Sequence, residues 1–179
     1  MGQDDPQKRK LTELGREQAH MTGRRLKDLG LPYNKVVYST KVRASETSDI
    51  IRQYMPEVPA EPCDLIREGL PVPPQPPHRD QEAMIKQAQV EGPAIEAGFK
   101  KYFSRADKSQ EKDSYDVIVC HGNVIRYYVC RALQLPPEAW LRMSLSHGSI
   151  TVFRIGPTGN VSIRHLGDTG HMPPEKLSR

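Results

Sequence analysis

The sequence predicts an α/β fold: an open, mostly parallel sheet with helices on both faces and a C-terminal antiparallel hairpin. Three observations carry this. Short β-branched runs at 35–38 and 117–120 have the length and character of buried parallel strands. Each is followed by a helical segment, most clearly where Val124, Ile125, Tyr128, Val129 and Ala132 repeat at helical spacing. Segments 150–155 and 161–166 alternate and are joined by Gly156-Pro157-Thr158-Gly159-Asn160, a hairpin signal.

The chain has 179 residues, enough for one domain with its own core. Charged residues are 27% and aromatic residues 6%, and the net charge of +4 comes from interleaved acids and bases. The local basic clusters, Lys8-Arg9-Lys10 and Arg24-Arg25, have no aromatic residues among them, which argues against a nucleic-acid partner. Three cysteines without CxxC spacing read as reduced core thiols rather than a disulfide framework. No metal or other cofactor is expected. No apolar run approaches membrane-spanning length, and the first residues do not have the form of a cleaved signal.

Residues 1–10 are polar, contain Pro6 and have no apolar run, so they read as a disordered tail before a domain at 11–179. Thr12 caps a helix reaching about residue 29, with Gly30 as its stop. Gly15, Ala19 and Gly23 form a small-residue stripe on it, which predicts close approach to a sheet. Ser39 or Thr40 caps a second helix that ends near Tyr54, before Pro56. Segment 59–66 is extended, with a short strand near its end. Segment 69–78 holds Pro71, Pro73, Pro74, Pro76 and Pro77 and must be a loop. A long helix at 81–103 turns Ile85, Ile95, Phe99 and Phe103 inward, and Gly92-Pro93 should kink or break it. Segment 107–114 is a charged loop.

The stretch from Asp116 to Ala132 is the chemical focus. It reads as strand, tight turn and helix, with His121-Gly122 at the strand's carboxyl end. Ligands of open α/β sheets bind at that edge. The free N–H groups and partial positive charge of the following helix suit an anion. On these residues alone, a histidine that merely caps the helix or fills the turn fits equally well.

Three motifs in order narrow the choice. They are Leu11-Thr12-x-x-Gly15-x-x-Gln18-Ala19-x-x-x-Gly23-x-x-Leu26, Ser39-x-x-x-Arg43-Ala44-x-Glu46-Thr47, and Val119-Cys120-His121-Gly122-x-x-Ile125-Arg126. Together they resemble the histidine phosphatase (phosphoglycerate mutase-like) superfamily from residue 11 to the C-terminus. Leu65-Ile66-Arg67-Glu68-Gly69, Asn123 to Arg126 and Leu166 to Gly170 are similar to its mitochondrial protein serine/threonine phosphatases, which are not mutases. The resemblance implies phosphoprotein partners and allows a homo-oligomer. It also implies a mitochondrial location; with no targeting segment in the chain, the cytoplasm stays open.

The implied chemistry has a histidine nucleophile that takes the phosphoryl group and water that releases it. The transferring group spreads negative charge, which calls for fixed donors and cations. The resemblance assigns Arg43 as a bidentate phosphate clamp, His121 as the second pocket histidine, and Gly122 as the point where backbone approaches the phosphate. Glu68 falls where related phosphatases place the acid that protonates the leaving alkoxide. The bland alternatives are an Arg43–Glu46 surface pair and a Glu68–Arg67 loop pair. His147 reads as a turn residue with a lesser claim to the pocket edge, and Arg164-His165 as part of a terminal strand.

The superfamily's nucleophile belongs to an Arg-His-Gly-type motif on a first strand just before the first helix. Residues 1–10 contain no histidine and no strand-like run. The expectation is therefore a domain lacking its first strand, with a gap or imperfect closure between the strands near Val37 and Val117. The expected function is a protein serine/threonine phosphatase, with this chain inactive or severely impaired. The alternative is a non-catalytic phosphate- or phosphoprotein-binding protein.

Overall fold

The computed structural model describes residues 9–77 and 80–179. Most of the predicted tail, residues 1–8, lies outside the described residues, as does His78 of the predicted loop; Arg9 and Lys10 are exposed and without regular structure. The central strand β1 (Tyr33–Ser39) pairs in parallel with β2 (Ala60–Cys63) on one side and β3 (Tyr115–Val119) on the other. Val36 and Val37 of β1 are fully buried and point to opposite faces of the sheet.

Each face has its own core. Val36 and Val119 pack with Leu26 of α1 (Glu13–Asp28), Ile51 of α2 (Val42–Arg52), Met55 and Val58. Val37 packs with Ile66, Ile95 of α3 (Gln81–Tyr102), and Val124 and Tyr128 of α4 (Gly122–Ala132). Burying each such valine stabilises the fold by roughly 1.5–3 kcal/mol. This two-sided cover explains why the strands read as continuous apolar runs.

The expected gap between the strands near Val37 and Val117 does not exist. Val36 pairs with Val117 and Val37 with Ile118, with a single register shift between Tyr33 and Lys35. The break lies elsewhere. Strands β4 (Ile150–Ile155) and β5 (Val161–Asp168) form a separate antiparallel sheet. Among the described residues, β3 has a ladder only with β1, and β4 only with β5. Side chains hold the hairpin in place. Ile150 packs on the Val36–Val119 cluster, and Phe153 meets Phe103 edge-on, with ring centroids 4.9 Å apart.

The helices depart from expectation in three places. The Thr12 hydroxyl caps α1 by accepting from the Gly15 amide at 3.0 Å, and Gly30 follows it with φ +61°. The small-residue stripe of α1 faces a helix, however, and not a sheet. A Cβ on Gly23 would stand 2.5 Å from the Tyr54 ring and 3.1 Å from Ile51 Cα. Neither Ser39 nor Thr40 caps α2; its N-cap is Lys41, with no side-chain cap bond. Helix α3 runs unbroken through Gly92-Pro93. Proline at 93 cannot bond the carbonyl of Gln89, an exposed residue whose carbonyl water can satisfy. A Cβ on Gly92 would collide with the carbonyl oxygen of Pro71, so that glycine serves a contact with the loop. Ile85 is exposed, not inward.

The proline-rich loop is fastened to the 3-10 helix Pro137–Arg142. Trp140 Nε1 donates to the Val72 carbonyl at 2.9 Å, Gln75 N to the Glu138 carbonyl at 2.8 Å, and Arg142 Nε to the Gln75 carbonyl at 3.0 Å. At the other end of the chain, the Gln18 amide donates to the Lys176 carbonyl at 2.7 Å and to Ser178 Oγ at 2.9 Å.

Candidate active site

The parallel strands deliver their carboxyl ends to one edge, and each end turns into a residue singled out by the sequence. β1 ends at Ser39, and Arg43 follows in the first turn of α2. β2 runs through the turn Asp64–Ile66 to Glu68. β3 leads to His121, the N-cap of α4, in extended conformation at φ −129°. Gly122 opens α4, and a Cβ there would meet nothing nearer than Arg126 Nη2 at 4.0 Å.

His121 is buried and held from both ring nitrogens. Nε2 lies 2.8 Å from Ser39 Oγ, and Nδ1 lies 3.7 Å from Glu68 Oε2. The same Glu68 oxygen is 3.7 Å from Arg43 Nη2, so Glu68 bridges the guanidinium and the imidazole. Its other oxygen, Oε1, is buried without a hydrogen-bond partner among the described residues. The bland pairings do not form. Glu46 accepts instead from the Leu11 amide at 2.7 Å and from Arg16 at 3.1 Å, and Arg67 stands 3.7 Å from Asp64.

Electrostatics follow from this packing. Burial, then the positive charges of Arg43 and Lys41, push the His121 imidazole down to about 3, so it is neutral at physiological pH. Burial raises the Glu68 carboxyl, against the pull of Arg43, the Gly69 amide and Arg126. On acidification Glu68 therefore takes up a proton before His121 does. Burial pushes the Cys120 thiol up to about 12, which keeps it inert, and all three cysteines are free.

Arg126 fixes the mouth of α4. It donates from Nε to the Gly122 carbonyl at 3.1 Å, from Nη1 to the Met143 carbonyl at 3.1 Å, and from Nη2 to Asn123 Oδ1 at 2.5 Å; its guanidinium lies 5.1 Å from the Trp140 ring. The other described histidines are engaged elsewhere or exposed. His20 meets the Tyr54 hydroxyl, His147 meets Ser178, His171 meets Thr22 and the Gly148 carbonyl, and His165 is exposed on β5. Among the described residues no three His, Cys, Asp or Glu side chains converge to hold a metal ion, and no helix is long and apolar enough to cross a membrane.

The chain belongs to the histidine phosphatase superfamily (branch 1), whose family model matches residues 1–71 and 74–169. The serine/threonine-protein phosphatase PGAM5, mitochondrial, of Xenopus laevis is 56% identical over 173 residues, covering 96% of this chain and 62% of that protein. Its Homo sapiens counterpart is 54% identical over 171 residues, covering 96% of this chain and 59% of that one. The chain thus spans about three-fifths of the length of these curated relatives. Among solved structures, phosphoglycerate mutase from Plasmodium falciparum superposes with a TM-score of 0.69 at 31% identity, covering 94% of this chain and 92% of that one. An Escherichia coli putative alpha-ribazole-5'-P phosphatase shares the fold at 16% identity, with a TM-score of 0.68 over 89% of this chain and 84% of that one.

The structure brings Arg43, Glu68, His121 and Gly122 together and keeps His147 and His165 out of the cluster. Sequence reasoning missed Ser39 as the imidazole's partner, having assigned its hydroxyl to a helix cap. No sequence signal marks this role; it follows from the strand register, which sets Tyr38 beside Val119 and so Ser39 next to the turn that carries His121.

Proposed function

We propose that the carboxyl edge of the parallel sheet is a phosphate pocket of a protein serine/threonine phosphatase that works through a phosphohistidine. The observation that carries this reading is the convergence of Arg43, Glu68 and His121 from three separate strand ends. Arg43 grips two phosphate oxygens. His121 and the Gly122 amide face the phosphoryl group, and Glu68, protonated more readily than an ordinary glutamate, supplies the proton that the departing serine or threonine oxygen needs. Phosphoproteins are the substrates, and mitochondria the location, by likeness to the relatives named above.

The nucleophile is a second histidine. None of the described histidines except His121 stands beside Arg43, and no histidine precedes His20 in the chain. A strand carrying the nucleophile would pair along the edge of β3 away from β1, which has no ladder among the described residues, and parallel pairing there brings its carboxyl end to His121. That position replaces the one expected from the sequence, between β1 and β3. Residues 1–179 alone are then a phosphate- or phosphoprotein-binding unit with severely impaired turnover, since residues that act as a unit fail together.

Calorimetry of the chain with orthophosphate, followed by a phosphoserine-peptide assay, tests this. Phosphate should bind, Arg43→Gln should abolish binding, and no peptide turnover should be seen. Turnover abolished by His121→Ala would make His121 the nucleophile and overturn the assignment.

A further inference from the structure

We propose that Asn123 is a positioning residue for Glu68, holding the proton donor of this pocket through the peptide bond that follows it. The proposal rests on the functional reading above and starts from how loosely the carboxyl itself is held. Glu68 Oε2 lies 3.7 Å from both Arg43 Nη2 and His121 Nδ1, beyond hydrogen-bond reach, and Oε1 has no partner among the described residues. Such contacts do not fix a proton donor, which must stand within hydrogen-bond reach of the oxygen it serves.

The backbone directly after Glu68 is held firmly instead. The Gly69–Leu70 peptide is gripped at both ends by side chains of two helices. Asn123 Nδ2 of α4 donates to the Gly69 carbonyl at 3.2 Å, and the Leu70 amide donates to Glu91 Oε2 of α3 at 2.7 Å. Both residues of that peptide are buried. A Cβ on Gly69 would stand 2.9 Å from the same Glu91 oxygen, so the glycine lets α3 reach the peptide. The side-chain amide of Asn123 has one workable orientation. Its Oδ1 accepts from Arg126 Nη2, and a guanidinium only donates, so Nδ2 must face Gly69. Arg126 is itself anchored to the Gly122 and Met143 carbonyls. Asn123 lies two residues after His121, so the start of α4 both follows the imidazole and orients the acid beside it.

The test is a carbon-13 NMR titration of the Glu68 carboxyl in the full chain, its signal identified by its absence from Glu68→Gln. Arg43 of α2, His121 and Arg126 of α4 and Glu91 of α3 are the charged and titratable groups facing this carboxyl. In the unaltered chain burial should hold its midpoint above the ordinary value. Asn123→Ala should free the Gly69 carbonyl, let Glu68 swing toward water and lower that midpoint by about half a pH unit or more, toward about 4.3. If this variant does not fold, Glu91→Ala and Glu91→Gln decide the question. Both remove the charge and only alanine releases the Leu70 amide, so the alanine midpoint should be the lower. A lower Tm with an unmoved Glu68 midpoint in Asn123→Ala, or equal midpoints in the Glu91 pair, would make the held peptide merely structural and leave the pocket standing. An unaltered chain that binds no orthophosphate by calorimetry would overturn both.

Discussion

The hydroxyl of Ser39 stands 2.8 Å from His121 Nε2, and both residues are buried. Ser39 Oγ also accepts the Lys41 amide, so one oxygen ties the end of β1, the start of α2 and the imidazole. Ser39→Ala leaves a buried ring nitrogen without that partner. The expected cost is about 1–3 kcal/mol, read as a lower urea midpoint with unchanged slope. An unmoved midpoint would mean that the ring finds another partner.

His121 also sets an acid limit. Its folded-state pKa lies near 3, below its ordinary value, so the unfolded chain binds this proton more readily. The stability from keeping it neutral is fully present above about pH 6.5 and is lost as the pH falls toward its folded value, by roughly 3 kcal/mol at pH 4. Denaturation series at pH 7, 5 and 4 on the unaltered chain and on His121→Gln should show a steeper decline for the former. Parallel declines would place the acid sensitivity elsewhere.

Glu68→Gln separates phosphate binding from proton donation. The carboxylate lies 3.7 Å from the guanidinium of Arg43, the proposed phosphate clamp. Replacing it with a neutral amide should tighten phosphate binding by about threefold or more at pH 8, where the native carboxyl is ionised. The gain should shrink as the pH is lowered and the native carboxyl takes up its proton. Weaker binding in the variant at every pH would show that Glu68 chiefly orients Arg43.

The glycines of α1 are not equivalent. A Cβ at Gly23 meets the Tyr54 ring at 2.5 Å, and that ring is itself held by the bond from its hydroxyl to His20. Gly23→Ala should therefore lower Tm despite alanine's better helix propensity, with a net loss of about 1–2 kcal/mol. At Gly15 the nearest atom is the end of the Leu11 side chain at 3.2 Å. Gly15→Ala should be neutral or mildly stabilising by the same measurement, and equal losses at both sites would refute the distinction.

What was legible in the sequence was mostly local. The strand-to-helix units at 33–52 and 115–132 announce themselves because the apolar period changes within a few residues. The hairpin was readable from its glycine-containing turn for the same reason. Pairing between distant strands leaves no such mark. Nothing in the run around Val117 says that its neighbour is Val36, and so the discontinuity was assigned to the wrong edge of β3. The behaviour of Pro93 likewise depended on whether the carbonyl it leaves unbonded could reach water, a property of the folded surface. At the site, the family resemblance of the motifs pointed to Arg43 and His121, and the structure brings both against Glu68. Ser39 was missed because its hydroxyl suits two roles, and only the packed sheet chooses between them.

The fastening of the proline-rich loop bears on entropy. Its ties at Val72 and Gln75 to 137–142 are made within the folded chain itself. The loop begins directly after Glu68, and Asn123 of α4 donates to the carbonyl of Gly69 at its root. The entropy of ordering residues 72–75 is therefore lost on folding. On the functional reading proposed above, a phosphoprotein would meet a neighbouring loop whose ordering is already complete.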